Sequence, residues 1–249
     1  MGDLFFSCVM GTAAGILGTG LGGLIGFVLN NPSRRFLSAL LNFSAGLMVA
    51  VVCFDLLPEA FEIGGFDVSI VGVCLGVVMI LACDEAITAW KSYYKGDQRS
   101  PMGQYVKTGI LLGIGIALHN FPEGLAIGSG FTAMKSYGIG LSLVIAFHDV
   151  PEGIAMAAPM RIGGMARWKV FLSAVMAGIP TGIGALVGYL LGEISPYFIS
   201  LCLGFAGGAM LYITCSELIP KSNDLYRGRI SGMSLIMGVI AGIVVSSML

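Results

Sequence analysis

Residues 117–128 read ALHNFPEGLAIG, and residues 146–157 read AFHDVPEGIAMA. Each stretch lies in a long apolar run, yet each places a histidine, an amide or acid, a proline and a glutamate within five positions. His119 and His148, Asn120 and Asp149, Pro122 and Pro151, Glu123 and Glu152, and Gly124 and Gly153 all align at one offset of 29. A charged side chain at the centre of a bilayer costs roughly 2.5–3.5 kcal/mol even on the lenient insertion scale. Residues this unfavourable, repeated at a fixed offset, point to a functional site within a membrane.

The surrounding composition agrees. Of 249 residues, 56% are hydrophobic and 11% charged, against about 25% charged in soluble domains. Several apolar runs exceed the ~18 residues that mark a transmembrane helix. The expected fold is an all-α integral membrane protein, one polytopic domain over residues 1–249. Eight spans are expected, at about 4–29, 36–57, 67–90, 107–131, 138–160, 168–192, 196–219 and 229–248. Asp3 stands where a basic leader region would be, so the first apolar segment is expected to stay as a span. Six cysteines (Cys8, Cys53, Cys74, Cys83, Cys202, Cys215) lack Cys-x-x-Cys spacing and read as small buried hydrophobes.

Charge placement sets an orientation. With the N-terminus outside, Arg34, Arg35, Lys91, Lys95, Arg99, Lys107, Arg161, Arg167, Lys169, Lys221, Arg227 and Arg229 all face the cytoplasm, and only Lys135 lies opposite. The positive-inside rule then puts both termini outside the cytoplasm, in what is expected to be the plasma membrane. Glu59, Glu62 and Asp67 fall outside, either as an acidic mouth that gathers cations or as an ordinary solvated loop. Trp90, Tyr93, Tyr94 and Trp168 read as aromatic anchors at the lipid–water interface.

The chain also repeats itself on a larger scale. TGLGGLIGFVL from Thr19 matches TGIGALVGYLL from Thr181, and FSAGLMVAVVCFDLLP from Phe43 matches FAGGAMLYITCSELIP from Phe205. Both matches share an offset of 162, pairing Asp55 with Glu217 and Pro58 with Pro220. Spans one to three thus recur as spans six to eight in opposite topology, with spans four and five as a central antiparallel pair. An inverted 3+2+3 repeat is a signature of secondary transporters, whose sites lie near the midplane at the repeat interface.

Helical spacing puts His119 beside Glu123 and His148 beside Glu152, with Asn120 and Asp149 three residues before each glutamate. Proline removes a backbone donor in each helix, freeing the carbonyls of Leu118 and Phe147. Carboxylates at one depth repel each other, and a divalent cation both neutralises them and accepts imidazole nitrogen. The mixed N/O set suits zinc, iron, manganese or cobalt, and lacks the thiolates favoured by copper(I). Bridging glutamates leave room for a binuclear site. The rival reading is a proton-sharing polar network that only holds two helices together.

HNFPEG and HDVPEG, in the fourth and fifth of eight spans, resemble the signature of the ZIP (Zrt/Irt-like) family of divalent-metal transporters. That resemblance implies uptake of zinc, often with iron, manganese, cobalt or cadmium, into the cytoplasm. It implies a homodimer, and alternating access in which spans one, four, five and six move against the other four. It also implies a principal metal site at His119, Glu123, His148 and Glu152, with Asn120 and Asp149 helping to form a second. Two departures stand out. Many prokaryotic relatives carry a span-six glutamate where this chain has Thr181, and the loop WKSYYKGDQRSPMGQ lacks a histidine cluster.

Met48 resembles a position where relatives offer a thioether, although methionine is more often gap-filling core. Asp55 and Glu59 are candidates for the outer pathway and Glu217 for the inner one. Asp84 and Glu85 read as interfacial or regulatory residues, not as ligands. Gly18, Gly20 and Gly23 match G-x-G-x-x-G without a strand-turn-helix context, so no nucleotide site is expected, nor a nucleic-acid partner. An intramembrane metal-dependent hydrolase is the rival from another class, but each motif gives His-x-x-x-Glu instead of His-Glu-x-x-His. The expected protein is a transporter, not an enzyme. Its ligands must be deprotonated to bind metal, so uptake is expected to fall at low pH.

Overall fold

The computed structural model describes residues 2–28, 32–93 and 101–247, and their side chains except at 27–28, 87–93 and 101–104. Tyr94, Lys95 and Arg99 lie outside the described residues, as do the side chains of Trp90, Lys91 and Tyr93. Among the described residues, eight helices are long and apolar enough to cross a membrane. They are α1 (Gly2–Val28), α2 (Arg34–Gly64), α3 (Phe66–Tyr93), α4 (Pro101–Ala133), α5 (Lys135–Ile162), α6 (Arg167–Gly192), α7 (Pro196–Leu225) and α8 (Arg229–Ser246). Helix is what the composition demands, because hydrocarbon offers no partner to a backbone N–H or C=O.

Helix boundaries follow local chemistry. Ser33 caps α2, its hydroxyl accepting from Phe36 N at 3.1 Å. Gly65, at φ 84°, breaks α2 from α3, and Gly164, at φ 81°, sits in the turn before α6; such φ values favour glycine. Pro122, Pro151 and Pro180 all lie inside continuous helices.

Two helices run longer than their sequences suggest. α2 passes through a π-helical turn at Val52–Leu56 and continues past Pro58 to Gly64. α7 does the same at Thr214–Leu218 and continues past Pro220 to Leu225. In each case the proline occupies the first turn of the helical segment that follows, where its missing N–H is tolerated.

The helices pack as a four-helix group, α1, α4, α5 and α6, flanked by the pairs α2–α8 and α3–α7. Within the group α1 lies against α5 and α6, and α4 against the same two helices. Glycine permits this closeness. A Cβ at Gly22 would lie 2.2 Å from Val150 O, and one at Gly184 would lie 2.2 Å from Phe121 O. In the most hydrophobic stretch of each helix, 67% of α5 is buried against 17% of α8, which makes α5 central and α8 peripheral.

The outward face is apolar, with Leu17, Leu75, Val78, Leu172 and Ile236 exposed. The cysteines follow this inverted pattern. Only Cys202 is buried, while Cys53, Cys74 and Cys215 are exposed and Cys8 and Cys83 intermediate, all of them free. Reading all six as buried is therefore corrected: apolar residues need not turn inward where the surroundings are lipid. Trp168 is exposed at the start of α6, as suits an interfacial anchor.

Candidate metal centre

The two motifs face each other across the α4–α5 contact. His119, Asn120, Glu123, His148, Asp149 and Glu152 are all buried. Nε2 of His148 lies 2.9 Å from Oε1 of Glu123 on the opposite helix. The same nitrogen is 3.4 Å from Oδ1 of Asp149. Spacing along one helix suggested His148 with Glu152; the packing of α4 on α5 places it with Glu123.

Glu123, His148 and Asp149 offer ligand atoms within 4.8 Å of one another. Around a tetrahedral zinc with ligands near 2.0–2.1 Å, donor atoms stand about 3.3 Å apart. The observed separations need only small side-chain adjustments to reach that figure. His119 and Glu152 are also buried but do not join this trio, and Asn120 is buried on the same helix as Glu123.

Neighbouring helices fix the trio in place. Ser44 of α2 donates to the carbonyl of His148 at 3.0 Å. Nδ2 of Asn120 donates to Ala177 O on α6 at 2.8 Å. That bond directs the Asn120 amide nitrogen to α6 and leaves its oxygen free of protein partners. Gly18 of α1 backs directly onto Asp149, where a Cβ would lie 2.5 Å from the aspartate Cβ.

The polar inventory is unbalanced. Nδ1 of His119, Oδ1 of Asn120, Oε2 of Glu123, Nδ1 of His148 and both carboxylate oxygens of Asp149 and Glu152 have no hydrogen-bond partner in the protein. Buried polar atoms are normally paired, and each unpaired one is destabilising by ~1–3 kcal/mol, more when charged. Such a concentration of acceptor atoms is the chemistry of a cation site. Thr181 is buried nearby with its hydroxyl also unpartnered. Its oxygen is neutral and adds no negative charge to the centre.

The remaining candidates are Met48, Asp55, Glu59 and Glu217. Met48 is fully buried one turn beyond Ser44 on α2, with Oγ1 of Thr214 3.8 Å from its sulfur. Asp55 accepts from Ser246 Oγ at 2.6 Å and keeps Oδ2 unpartnered. Glu59 is half-buried one turn later, whereas Glu62 and Asp67 are exposed. Glu217 is ion-paired with Lys221 and lies close to Asp84 of α3. Sequence reasoning missed Ser44, Ser246 and Lys221 as partners. For Lys221 the i,i+4 spacing from Glu217 was an available signal; for the serines there was none.

Eight apolar helices enclosing a buried set of imidazoles and carboxylates define a multi-pass integral membrane protein with an ionisable centre. Residues 94–249 match the ZIP zinc transporter family. The chain is 34% identical to the zinc transporter ZupT of Corynebacterium glutamicum, covering 88% of this chain and 92% of that protein. It is 31% identical to ZupT of Chlorobium luteolum over 93% of this chain and 92% of the relative. ZupT of Streptococcus mutans is 30% identical over 98% and 97%. The chain belongs to the ZIP zinc transporter family, a family of transporters and not of enzymes.

Proposed function

We propose that this protein carries divalent transition-metal ions, zinc foremost, across the plasma membrane into the cytoplasm. The observation that carries this reading is the buried trio of Glu123, His148 and Asp149 among unpaired acceptor atoms. The metal is cargo. Glu123 and Asp149 supply charge, His148 supplies nitrogen, and His119, Asn120 and Glu152 complete a binuclear arrangement when their side chains turn inward. Fe2+, Mn2+, Co2+ and Cd2+ are further substrates that this N/O donor set suits. The rival hydrolase reading has no support, since the relatives that match are named transporters.

Ion movement follows from alternating access within a single domain spanning residues 1–249. The group α1, α4, α5 and α6 moves against α2, α3, α7 and α8, with Asp55 and Glu59 lining the outer approach and Glu217 the inner one. Met48, on the Ser44 side of α2, offers a soft thioether as the ion passes. An inverted repeat underlies the two access states. It is supported by the π-helical turns at Val52–Leu56 and Thr214–Leu218, which differ by the same 162 positions as the sequence match. The Gly22–Val150 and Gly184–Phe121 contacts add support, because they interchange under the offsets of 162 and 29.

Both termini lie outside the cytoplasm. Asp3 and Lys135, 3.6 Å apart, mark one end of the molecule, and Lys135 is the basic residue assigned outside by charge placement. A homodimer is the proposed assembly. Equilibrium zinc binding to the purified protein tests the site: His148→Ala, inserted as wild type, is expected to lose the tightest-bound ion. Undiminished tight binding in that variant would remove the trio from the site.

A further inference from the structure

Lys221 is an unusual neighbour for a cation pathway. Its ammonium pairs with Glu217, whose carboxyl group lies close to that of Asp84 on α3. The side chain of Glu217 is only 16% exposed and that of Lys221 is 43% exposed. An ordinary i,i+4 pair in water contributes little, but the acid of this pair is largely withdrawn from water. Glu217 also sits within the π-helical turn of α7, a distortion that often marks a functional position.

Two carboxylates meeting at the inner end of a pathway, with nothing to neutralise them, would hold a divalent ion and delay its release. A lysine with no acid beside it would repel that ion. Contact between the two acids needs one shared proton, so together they carry about one negative charge, and the Lys221 ammonium offsets it. Because the ammonium is a compact charge on a flexible four-carbon stem whose end reaches water, it can swing aside and return.

We propose that Lys221 is a tethered cation that occupies the Glu217–Asp84 carboxylates between transport events, yields them to a departing divalent ion, and then displaces that ion into the cytoplasm. This rests on the reading of Glu217 as part of the inner pathway, and it makes Lys221 a determinant of release and not of capture. It also accounts for the contrast with Asp55, whose partner, Ser246, is neutral.

The test uses the full-length protein and cadmium or zinc as the probe. Binding is first measured with the central trio disabled by Glu123→Ala and His148→Ala. Adding Lys221→Met to that background is expected to create one further bound ion per chain, which Glu217→Gln removes again. Lys221→Gln, as a second neutral variant, should behave like Lys221→Met, and Lys221→Arg should create no such site.

In proteoliposomes with the centre intact, Lys221→Met is expected to lower maximal flux about fivefold and to lower the apparent KM with it. No added ion in either neutral variant, or a flux loss that persists unchanged in Glu217→Gln, would overturn the proposal. The binding arm does not depend on the central trio, so its failure is distinguishable from failure of the transport-site reading.

Discussion

The π-helical turns of α2 and α7 use one backbone device with different counter-groups. Each turn carries a carboxylate, Asp55 or Glu217, three residues before a proline. Asp55 meets a serine hydroxyl and retains an unpartnered oxygen. Glu217 meets an ammonium and a second carboxyl. The wider turn breaks the regular ladder and lets an acid sit at a helix surface inside the membrane. What differs is whether the acid keeps its charge available. In our reading, the outer turn receives a cation with its charge free, and the inner turn passes the cation on because its charge is already matched.

The largest effects should come from contacts that hold both halves of the comparison together. Gly22→Val and Gly184→Val each force a side chain into a carbonyl 2.2 Å from the Cβ position. Both are expected to abolish stable insertion, seen as loss of a monodisperse peak on detergent chromatography. Near-normal behaviour of one with collapse of the other would break the equivalence of the two contacts.

Asp55→Asn and Glu217→Gln come next and should separate. Losing the outer charge is expected to raise KM for zinc roughly tenfold with little change in maximal flux, as for a charge that concentrates the approaching ion. Losing the inner charge should change maximal flux more than KM. Identical kinetic signatures would remove the proposed division of labour.

A smaller effect is expected from Ser246→Ala, which frees Asp55 Oδ1 and removes one hydrogen bond worth about 1 kcal/mol. The expected shift in KM is up to about fivefold, checked by initial-rate uptake. Flux should also fall as pH drops from about 7 to about 5, since carboxylate and imidazole must be deprotonated to bind metal. A rise over that range would show that protonation drives release more than it opposes capture.

Much of this was legible in the sequence because a bilayer simplifies the code. Long apolar runs had to become helices, and charged residues within them pointed to a functional site, so the eight spans could be read directly and the six motif residues could be singled out before their burial was seen. The spans expected to end at 57 and 219 continue past Pro58 and Pro220, because the pattern alone does not show that a π-helical turn precedes each proline. The Glu123–His148 contact was not legible either. Spacing along one helix gives neighbours at i and i+4, whereas the rotation of α4 on α5 depends on where glycines let backbones touch. Ser44 and Ser246 gave no signal, because a lone serine in an apolar helix looks the same whether it caps a carbonyl or faces lipid.

The most direct measurement is zinc flux into proteoliposomes filled with a fluorescent chelator, wild type against Glu123→Ala, with insertion and folding matched. Glu123 supplies the carboxylate nearest His148 on the opposite helix. The account predicts zinc entry for wild type and a loss of at least about a hundredfold for the variant, as expected when a charged ligand of a buried ion is removed. Equal flux through both proteins would contradict it, because the ion would then be crossing the membrane by a route that does not involve the α4–α5 centre.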